Sequence, residues 1–342
     1  MKKMKVAMYY NNNDVRIEEI NIPEINENEL LVRVHACGIC GSDVMEWYRI
    51  KKAPKVLGHE MAGEIVKVGK NVKKYKIGER IFVSHHVPCN KCKYCKDGYH
   101  TLCDTLHSTN FYPGGFSEYL RIPKINIEFG VFVLPEEMSY DEAVFIEPLA
   151  CVVRGLKIAE MKSGISVLVI GSGVAGLLNI KLVKAKGAKK IFATDIDEFR
   201  LNSAKKMGAD IIIKAETNVA EEIKKHNSGK LADLVILCAG VPSAARQAMD
   251  SVAKAGTILL FAPTKPGVDV SIPLFDIWNK QVKIVSTYAG APKDLEESIN
   301  LIKNKEVSVI DLITHRFPLR NASTGFKLAA EAKDSLKIII EP

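Results

Sequence analysis

Long apolar runs are absent from this sequence of 342 residues. No stretch reaches the roughly eighteen uninterrupted apolar residues that a membrane-spanning helix requires. The amino-terminal stretch MKKMKVAMYYNNND is basic at first but lacks the apolar centre of a secretory signal peptide. We therefore expect a cytoplasmic protein without a membrane partner.

A concentrated patch of one charge is also absent. The 48 Lys and Arg residues and the 40 Asp and Glu residues alternate along the chain and give a formal net charge of +8. A surface that binds nucleic acid usually gathers its basic residues in one stripe. We expect these lysines to be solvated, and we expect no nucleic-acid partner.

Cysteine is sparse outside the segment PCNKCKYCKDGYHTLCD. In a reducing compartment such a cluster is more often a metal site than a disulfide framework. Four thiolates satisfy the tetrahedral preference of zinc and leave no position for substrate, so the segment predicts a structural zinc site. An iron–sulfur cluster is the competing metal site, and disulfides or free thiols are further alternatives. The four cysteines follow the pattern CxxCxxCx7C: Cys89, Cys92, Cys95 and Cys103.

The apolar pattern changes along the chain, which is long enough for two domains. Short alternating stretches such as ELLVRVHA and AGEIVKVG, punctuated by Gly and Pro, predict a mostly β domain in the first third. From about Ser139 helical patterns begin, and apolar strands such as SVLVIG, KIFATD and GTILLFAP then alternate with amphipathic stretches. This alternation predicts a parallel sheet covered by helices on both faces.

A glycine-rich turn, GSGVAG, directly follows the predicted strand SVLVI and precedes an amphipathic stretch. In this context the motif predicts a dinucleotide-binding site. Gly171 permits the tight turn, Gly173 lets the backbone approach a pyrophosphate, and Gly176 allows close packing of helix on strand. The N–H groups at the start of the helix can bind the phosphate charge. A turn without a ligand is the alternative.

Asp195 ends the next predicted strand, nineteen positions after Gly176. A carboxylate there can bond both hydroxyls of an adenine ribose and would repel a 2′-phosphate, which predicts NAD in preference to NADP. Arg200 could pair with such a phosphate, contact the NAD ribose or only cover the helix surface. The predicted cofactor-binding residues are Gly171, Gly173, Val174, Gly176, Asp195 and Arg200.

A second set of candidate metal ligands lies outside the cysteine segment: Cys40 in GICGSD, His59 and Glu60 in LGHE, and Glu147 in IEPLA. A thiolate, an imidazole and a carboxylate can bind zinc and leave one position for water or substrate. Taken singly, Cys40 is more often a small buried residue and Glu147 a helix cap or salt-bridge partner. Their joint appearance with a nucleotide motif favours a catalytic metal site.

Two polar residues follow Cys40 closely. Asp43 can accept the second ring proton of His59 and so fix its tautomer. Ser42 offers a hydroxyl that could pass a proton outward. Both could also cap a helix that begins at Val44, a role compatible with the first.

Together these motifs resemble the zinc-dependent medium-chain dehydrogenases, nearer the sorbitol and threonine dehydrogenase branch than the animal-liver alcohol dehydrogenase branch. The resemblance covers essentially the whole length. It implies an α/β fold, in which a Rossmann domain with a doubly wound parallel sheet is inserted into a GroES-like, mostly β catalytic domain. The implied bounds are 1–148 and 289–342 for the catalytic domain, with a zinc lobe at 88–104, and 149–288 for the Rossmann domain. The motifs are CGICGSD, GHE, the cysteine segment, GGFSEY, IEPLA and GSGVAG with Asp195.

The resemblance also implies two zinc ions per chain and a homodimer or homotetramer. The catalytic zinc would be held by Cys40 and His59, with Glu60 and Glu147 close by and exchanging with water. Glu147 stands where the liver-type enzymes have a cysteine, which favours the polyol branch. The predicted catalytic residues are Ser42, Asp43 and Glu60.

The predicted reaction is the reversible oxidation of a small polyol or secondary alcohol to a ketone or aldehyde, with hydride transfer to NAD. Zinc would stabilise the alkoxide, and Ser42 would begin the proton relay. An L-threonine-type amino-alcohol dehydrogenase, in which Arg154 meets the substrate carboxylate, is one alternative. A non-catalytic nucleotide-binding protein of the same fold is another. Pocket candidates, each with an alternative role in core or surface, are Trp47, Tyr48, His85, His86 and Tyr119.

Overall fold

The computed structural model describes residues 2–342, which divide into two compact units. The first, called here the catalytic unit, contains the chain up to Ala150 together with Gly290–Lys305 and Val309–Pro342. The second, the nucleotide unit, contains Cys151–Ala289 and Glu306–Ser308. The predicted domain boundaries at 148/149 and 288/289 lie close to the two main breaks. Over residues 2–342 no helix has the length and apolarity to cross a bilayer, and the cytoplasmic location stays a prediction.

The amino-terminal part of the chain is rich in strands and contains only short helices before residue 146. Its strands are β1 (Lys3–Asn11), β2 (Asp14–Asn21), β3 (Leu30–Gly38), β4 (Lys55–Val56), β5 (Glu60–Val68), β6 (Arg80–Val83), β7 (Tyr119–Ile122) and β8 (Val131–Val133). Its helices are α1 (Glu46–Arg49), α2 (Lys93–Lys96), α3 (Asp104–Ser108), α4 (Lys124–Phe129), α5 (Tyr140–Ala143) and α6 (Ile146–Ile158). A 3₁₀ turn, Gly41–Asp43, precedes α1.

Strands and helices alternate in the middle of the chain. The strands are β9 (Ser166–Ile170), β10 (Lys190–Asp195), β11 (Ile211–Lys214), β12 (Ala232–Leu237), β13 (Val252–Leu260) and β14 (Lys283–Ser286). The helices are α7 (Val174–Ala185), α8 (Glu198–Met207), α9 (Val219–His226), α10 (Pro242–Ser251) and α11 (Leu274–Asn279). The chain ends with α12 (Pro292–Lys303), β15 (Ile313–Pro318), α13 (Ala322–Glu331) and β16 (Lys337–Glu341).

The main sheet of the catalytic unit joins both ends of the chain. Its strand order is β15-β16-β3-β5-β6-β8, with β7 also paired to β3, and a smaller sheet has the order β2-β1-β4. The carboxyl-terminal strand β16 runs antiparallel to β3 and pairs Ile339 with Gly38. On the other side of β3, Gly38 pairs with Glu60 of β5. The end of β3, the start of β5 and the start of β16 therefore meet in one place.

The nucleotide unit contains the predicted parallel sheet, with strand order β11-β10-β9-β12-β13-β14. All of these neighbouring pairs are parallel. Every residue of β9 is buried, as expected for a central strand covered on both faces. A buried apolar cluster that includes Leu168, Phe192 and Val235 forms part of its core.

Candidate active site

Three of the predicted catalytic ligands converge in the catalytic unit. One ligand atom from each of Cys40, His59 and Glu60 lies within 4.8 Å of the others. Cys40 lies two residues after the end of β3, His59 directly precedes β5, and Glu60 is the first residue of β5. Because β3 and β5 are paired at Gly38 and Glu60, the register of the sheet brings these three residues together.

Glu147 lies outside this cluster. It occupies the first turn of α6 and is 9% exposed. Its charge contributes, as one of the smaller effects, to the raised pKa of the buried Lys337 amine. Its role as a further ligand stays a prediction.

Asp43 orients the His59 ring. Its Oδ1 lies 3.5 Å from His59 Nδ1, and its Oδ2 accepts a hydrogen bond of 3.1 Å from the Cys40 backbone N–H. The Asp43 side chain is fully buried. Burial raises the pKa of this carboxyl, but His59 and Arg49 outweigh it and lower the pKa overall. An ionised Asp43 this close to Nδ1 favours the tautomer of His59 that carries its proton on Nδ1, which leaves Nε2 available to a metal ion.

The hydroxyl of Ser42 is held by Arg49, a residue that sequence reasoning missed. Arg49 Nη2 donates to Ser42 Oγ at 2.9 Å, and Arg49 Nε donates to the Ser42 carbonyl at 2.8 Å. The Ser42 N–H points to Cys40 Sγ at 3.4 Å. The alternative in which Ser42 and Asp43 cap a helix at Val44 is wrong, since α1 begins at Glu46 and Cys40 caps the preceding 3₁₀ turn.

Lys337 is a second residue that the sequence did not reveal. Its ammonium group forms a fully buried ion pair with Glu60 Oε2 and lies 3.4 Å from the Ile39 carbonyl oxygen. Burial lowers the pKa of Lys337, but Glu60 and other anionic neighbours outweigh it and raise the pKa. A Cβ at Gly38 would lie 2.3 Å from Glu60 Oε2 and 3.2 Å from Lys337 Cδ, so only glycine leaves room for this pair.

An unpaired oxygen of Glu60 also indicates that Cys40, His59 and Glu60 fit a zinc ion. Glu60 Oε1 is buried and has no hydrogen-bond partner among residues 2–342, although Oε2 is paired with Lys337. An uncompensated carboxylate oxygen in a buried site is costly, and a cation bound beside Cys40 and His59 would satisfy it. Thiolate, imidazole and carboxylate are also the donors that zinc prefers.

The predicted pocket candidates separate into two groups. The rings of His59 and His85 lie 4.8 Å apart, and those of His85 and His86 lie 3.8 Å apart. Burial lowers the pKa of His85 well below its usual value and that of His86 to about 3, so both are neutral near pH 7. Tyr119, in contrast, packs against the apolar core of the catalytic unit.

The remaining candidates lie on helices. Trp47 and Tyr48 lie next to each other on α1, with ring centres 5.8 Å apart. Tyr48 also contacts Arg49, whose guanidinium carbon lies 4.8 Å from the centre of the tyrosine ring. Arg154 lies on α6.

The four-cysteine segment also converges. One sulfur atom from each of Cys89, Cys92, Cys95 and Cys103 lies within 4.8 Å of the others, and all four are free thiols. The sulfurs of Cys92 and Cys95 are 3.5 Å apart, well beyond the roughly 2.05 Å of a disulfide bond. Burial raises the pKa of Cys103, but backbone N–H groups of Cys89 and Leu106 outweigh it and lower the pKa to about 6. Backbone donors of this kind favour a metal-binding thiolate, and the set fits tetrahedral zinc.

The glycine-rich turn of the nucleotide unit joins β9 to α7. Gly171 has a φ of +91°, a left-handed conformation that favours glycine. A Cβ at Gly176 would lie 1.9 Å from the Gly171 carbonyl oxygen, whereas a Cβ at Gly173 would meet nothing within 4 Å. The turn is therefore tight on its inner side and open at Gly173, beside Val174, where α7 begins.

Asp195 is held by the backbone at the end of β10. Its Oδ2 accepts a bond of 2.7 Å from the Ser172 N–H, and its Oδ1 accepts one of 3.0 Å from the Asp197 N–H. Asp197 caps α8, on which Arg200 lies. The Nε atom of Arg200 is buried and has no hydrogen-bond partner within the described residues. The open turn at Gly173, the fixed carboxylate of Asp195 and the unpaired Nε of Arg200 together fit the binding of a dinucleotide.

Comparison with known proteins identifies the family. The family model of the alcohol dehydrogenase GroES-like domain matches residues 26–129, and that of the zinc-binding dehydrogenase matches residues 174–304. A sorbitol dehydrogenase from Bacillus subtilis (strain 168) is 32% identical over 353 residues, which cover 100% of this chain and 98% of the relative. This chain belongs to the zinc-dependent medium-chain dehydrogenases. The resemblance inferred from the motifs is confirmed. A sorbitol dehydrogenase from Ovis aries is also 32% identical, over 96% of this chain and 93% of its own.

Solved structures of dehydrogenases share the fold over nearly the whole chain. The 2R,3R-butanediol dehydrogenase from Bacillus subtilis matches with a TM-score of 0.86 and 30% identity, over 99% of both chains. A zinc-binding dehydrogenase from Sinorhizobium meliloti 1021, bound to NADP, matches with a TM-score of 0.89 and 26% identity over 100% of both chains. An alcohol dehydrogenase from Escherichia coli CFT073, in complex with NADH, matches with a TM-score of 0.89 and 28% identity over 99% of both chains. The predicted combination of GroES-like and Rossmann folds is confirmed.

Proposed function

We propose that this chain catalyses the reversible oxidation of a polyol or another small alcohol to the ketone or aldehyde, with NAD as the hydride acceptor. The convergence of Cys40, His59 and Glu60 carries this proposal, because a mixed donor set leaves room for substrate whereas a four-thiolate set does not. The sorbitol dehydrogenases and the butanediol dehydrogenase among its relatives support an alcohol with neighbouring hydroxyls.

Two zinc ions per chain are part of the proposal. Cys40, His59 and the free Oε1 of Glu60 would hold the catalytic ion, with Glu147 as a further predicted ligand. The ion supplies a Lewis acid that makes an alcohol hydroxyl more acidic. The structural ion would be held by Cys89, Cys92, Cys95 and Cys103.

The protein side chains then divide the work of proton movement and orientation. Ser42 Oγ would receive the proton that leaves the substrate hydroxyl and would pass its own proton outward. The hydride would leave the carbon that bears this hydroxyl, and the nicotinamide ring would accept it. The products are the carbonyl compound, NADH and one proton. Asp43 keeps His59 in the tautomer that presents Nε2. Lys337 neutralises one oxygen of Glu60 and leaves the other for the metal.

The preference for NAD rests on Asp195. Backbone N–H groups of Ser172 and Asp197 hold both carboxylate oxygens, so the negative charge stays where it would repel a 2′-phosphate. Solved relatives are bound to NADP in one case and NADH in another, which makes direct measurement the test. We expect kcat/KM to be higher with NAD than with NADP. We expect Asp195→Gly to reduce the ratio of the NAD value to the NADP value. A higher kcat/KM with NADP in the unmodified protein would contradict this part of the proposal.

The substrate class is tested by initial rates of NADH formation with sorbitol, a vicinal diol and L-threonine, followed by absorbance. We expect sorbitol or the diol to be oxidised faster than threonine. A clear preference for threonine would replace the proposed function with the amino-alcohol alternative. No NADH formation with any alcohol, in protein containing zinc at both sites, would support the non-catalytic alternative.

We further propose that copies of the chain pair through the edge of the nucleotide sheet. Within residues 2–342, strand β14 is paired on one side only, to β13. Nearby in sequence, α11 exposes Leu274, Phe275 and Trp278 at 74%, 72% and 74%. The aromatic side chains of Phe275 and Trp278 offer on the order of 150 Å² each, and a monomer seldom leaves such a patch in water. An antiparallel edge pairing is self-complementary, so a twofold dimer buries both features.

Light scattering on a sizing column tests this surface. We expect a dimer, or a tetramer built from such dimers, and we expect Phe275→Glu with Trp278→Glu to give smaller particles. Ile77→Glu is the control, because Ile77 is 67% exposed in the catalytic unit. Unchanged assembly in the double variant would contradict the assignment.

A further inference from the structure

Arg49 makes contacts with two of the predicted catalytic residues at once. Its Nε and Nη2 atoms bond the carbonyl and hydroxyl oxygens of Ser42 at 2.8 and 2.9 Å. The same Nη2 lies 3.3 Å from Asp43 Oδ1. The Arg49 side chain is only 15% exposed and that of Asp43 is fully buried, so this is not a solvated surface pair.

The contact with Ser42 determines what its hydroxyl can do. A serine hydroxyl has one hydrogen to donate and two lone pairs. Arginine only donates, so Arg49 occupies one lone pair and leaves the hydrogen and the second lone pair for other partners. The additional bond to the Ser42 carbonyl fixes the guanidinium plane relative to the serine backbone. A hydroxyl held in this way can receive one proton and release another without rotating to find a partner.

The contact with Asp43 reaches the metal ligand. Asp43 Oδ1 lies 3.3 Å from Arg49 Nη2 and 3.5 Å from His59 Nδ1. A single carboxylate oxygen is therefore shared by a cation and an imidazole. Without Arg49, the buried carboxylate would keep only two of its neighbours among the described residues, His59 and the Cys40 N–H. Its position, and with it the orientation of the His59 ring, would be less restricted.

We propose that Arg49 is a positioning residue of the dehydrogenase, which holds the proton-relay hydroxyl of Ser42 and the histidine-orienting carboxylate of Asp43 in one geometry. This rests on the proposed function for the roles of Ser42 and His59. Arg49 acts through these two residues and does not itself exchange a proton. Lysine cannot replace it fully, because a single ammonium group does not reproduce the planar fork that bonds Ser42 twice.

The main test combines substitution with chemical rescue. We expect Arg49→Ala to lower kcat by about 10- to 100-fold at saturating zinc, the range typical of groups that support a metal ligand. The KM for NAD should stay unchanged. Guanidinium ion at millimolar concentration should restore part of kcat in this variant, and methylammonium should not. Arg49→Lys should be intermediate. Arg316→Ala is the control, because Arg316 pairs through Nε and Nη2 with Asp141 on the same unit; it should retain full activity and show no rescue.

A double-variant comparison tests whether Arg49 acts through Ser42. In a Ser42→Ala background the further change Arg49→Ala should reduce kcat much less than it does alone. Zinc retention against a chelator gives a readout that does not depend on turnover. We expect Arg49→Ala to raise the apparent Kd of the catalytic zinc by about tenfold through Asp43 and His59, with the structural zinc unaffected.

The outcomes separate this inference from the proposed function. If the unmodified protein oxidises no alcohol, the proposed function fails. If it is active, full kcat in Arg49→Ala overturns the inference. The inference is also overturned if Arg49→Ala lowers kcat equally with Ser42 and in the Ser42→Ala background while the affinity for the catalytic zinc is unchanged. Should Arg49→Ala fold poorly, full activity of Arg49→Lys would contradict the inference equally, since it predicts that the fork geometry matters.

Discussion

The two candidate metal sites of the catalytic unit differ in how far apart their donors lie along the chain. Four cysteines within residues 89–103 make a closed set of like donors, and the sulfurs of Cys89 and Cys103 accept hydrogen bonds from backbone N–H groups of the same segment. The other site combines Cys40, which lies just after β3, with His59 and Glu60, which lie where β5 begins. Glu60 is paired in turn with Lys337 of β16. The local site has the donors of a structural ion, and the dispersed one has the mixed donors of a reactive ion.

The largest expected effect comes from removing a ligand of the local site. Cys103→Ser should release one zinc and unfold the lobe at 88–104, because structural zinc contributes on the order of 10 kcal/mol to the folding of small metal lobes. Metal analysis and limited proteolysis of the lobe would check this. A lobe that stays protected, with two zinc ions still bound, would show that the cysteines are not a structural site.

Removing a ligand of the dispersed site should affect activity and leave the fold intact. Cys40→Ser should lower kcat/KM by about 10³-fold or more, since loss of the Lewis acid forfeits several kcal/mol of transition-state stabilisation. The urea midpoint should change little. Rates and urea unfolding measured on the same sample check both points. If Cys40→Ser were strongly destabilised while its folded fraction kept full activity, the dispersed site would be structural and the comparison of the two sites would be reversed.

The dispersed site should show its own structural dependence at Lys337. Lys337→Met removes the only cation paired with the buried Oε2 of Glu60 among residues 2–342, which should destabilise the catalytic unit by about 3–5 kcal/mol. Adding Glu60→Gln should recover part of that loss, because the buried charge is then gone. Urea unfolding measures both variants, and Lys333→Met is the exposed control. Equal stability of Lys337→Met and the unmodified protein would mean that the ion pair contributes nothing.

The smallest effect concerns the histidines between the two sites. His86 lies three residues before Cys89, and the ring beside it, His85, contacts His59. Burial lowers the pKa of His86 to about 3, whereas the unfolded chain titrates near 6.5. The unfolded state therefore binds the proton first as pH falls, and stability is lost from about pH 6.5 downward.

His86→Gln should remove this part of the pH dependence. At pH 5.5 the expected contribution is about 1.4 kcal/mol. Urea unfolding at pH 7.5 and 5.5 measures it: the difference between the two pH values should be smaller in the variant than in the unmodified protein. An equal difference would show that His86 is already protonated, or already exposed, in the folded state.

Sequence reasoning reached the local features of this protein. Neighbouring residues determine the cysteine spacing, the turn from Gly171 to Gly176 and the position of Asp195. The apolar pattern along the chain likewise indicated the change from a mostly β region to a parallel sheet. It also named Cys40, His59 and Glu60, but from motifs and family resemblance and without a physical reason for their meeting. Glu147, named in the same way, lies outside the cluster that the other three form.

Local chain geometry was enough for the four thiols and the glycine turn, because a few backbone angles determine where adjacent side chains point. The meeting of Cys40 with His59 and Glu60 depended on the pairing of Gly38 with Glu60 across two strands. Lys337 entered the site only because β16 returns to β3 from the far end of the chain, and Arg49 only because α1 folds back onto the turn at Ser42. Such contacts join residues whose separation in sequence carries no signal, so they follow from sheet register and packing alone.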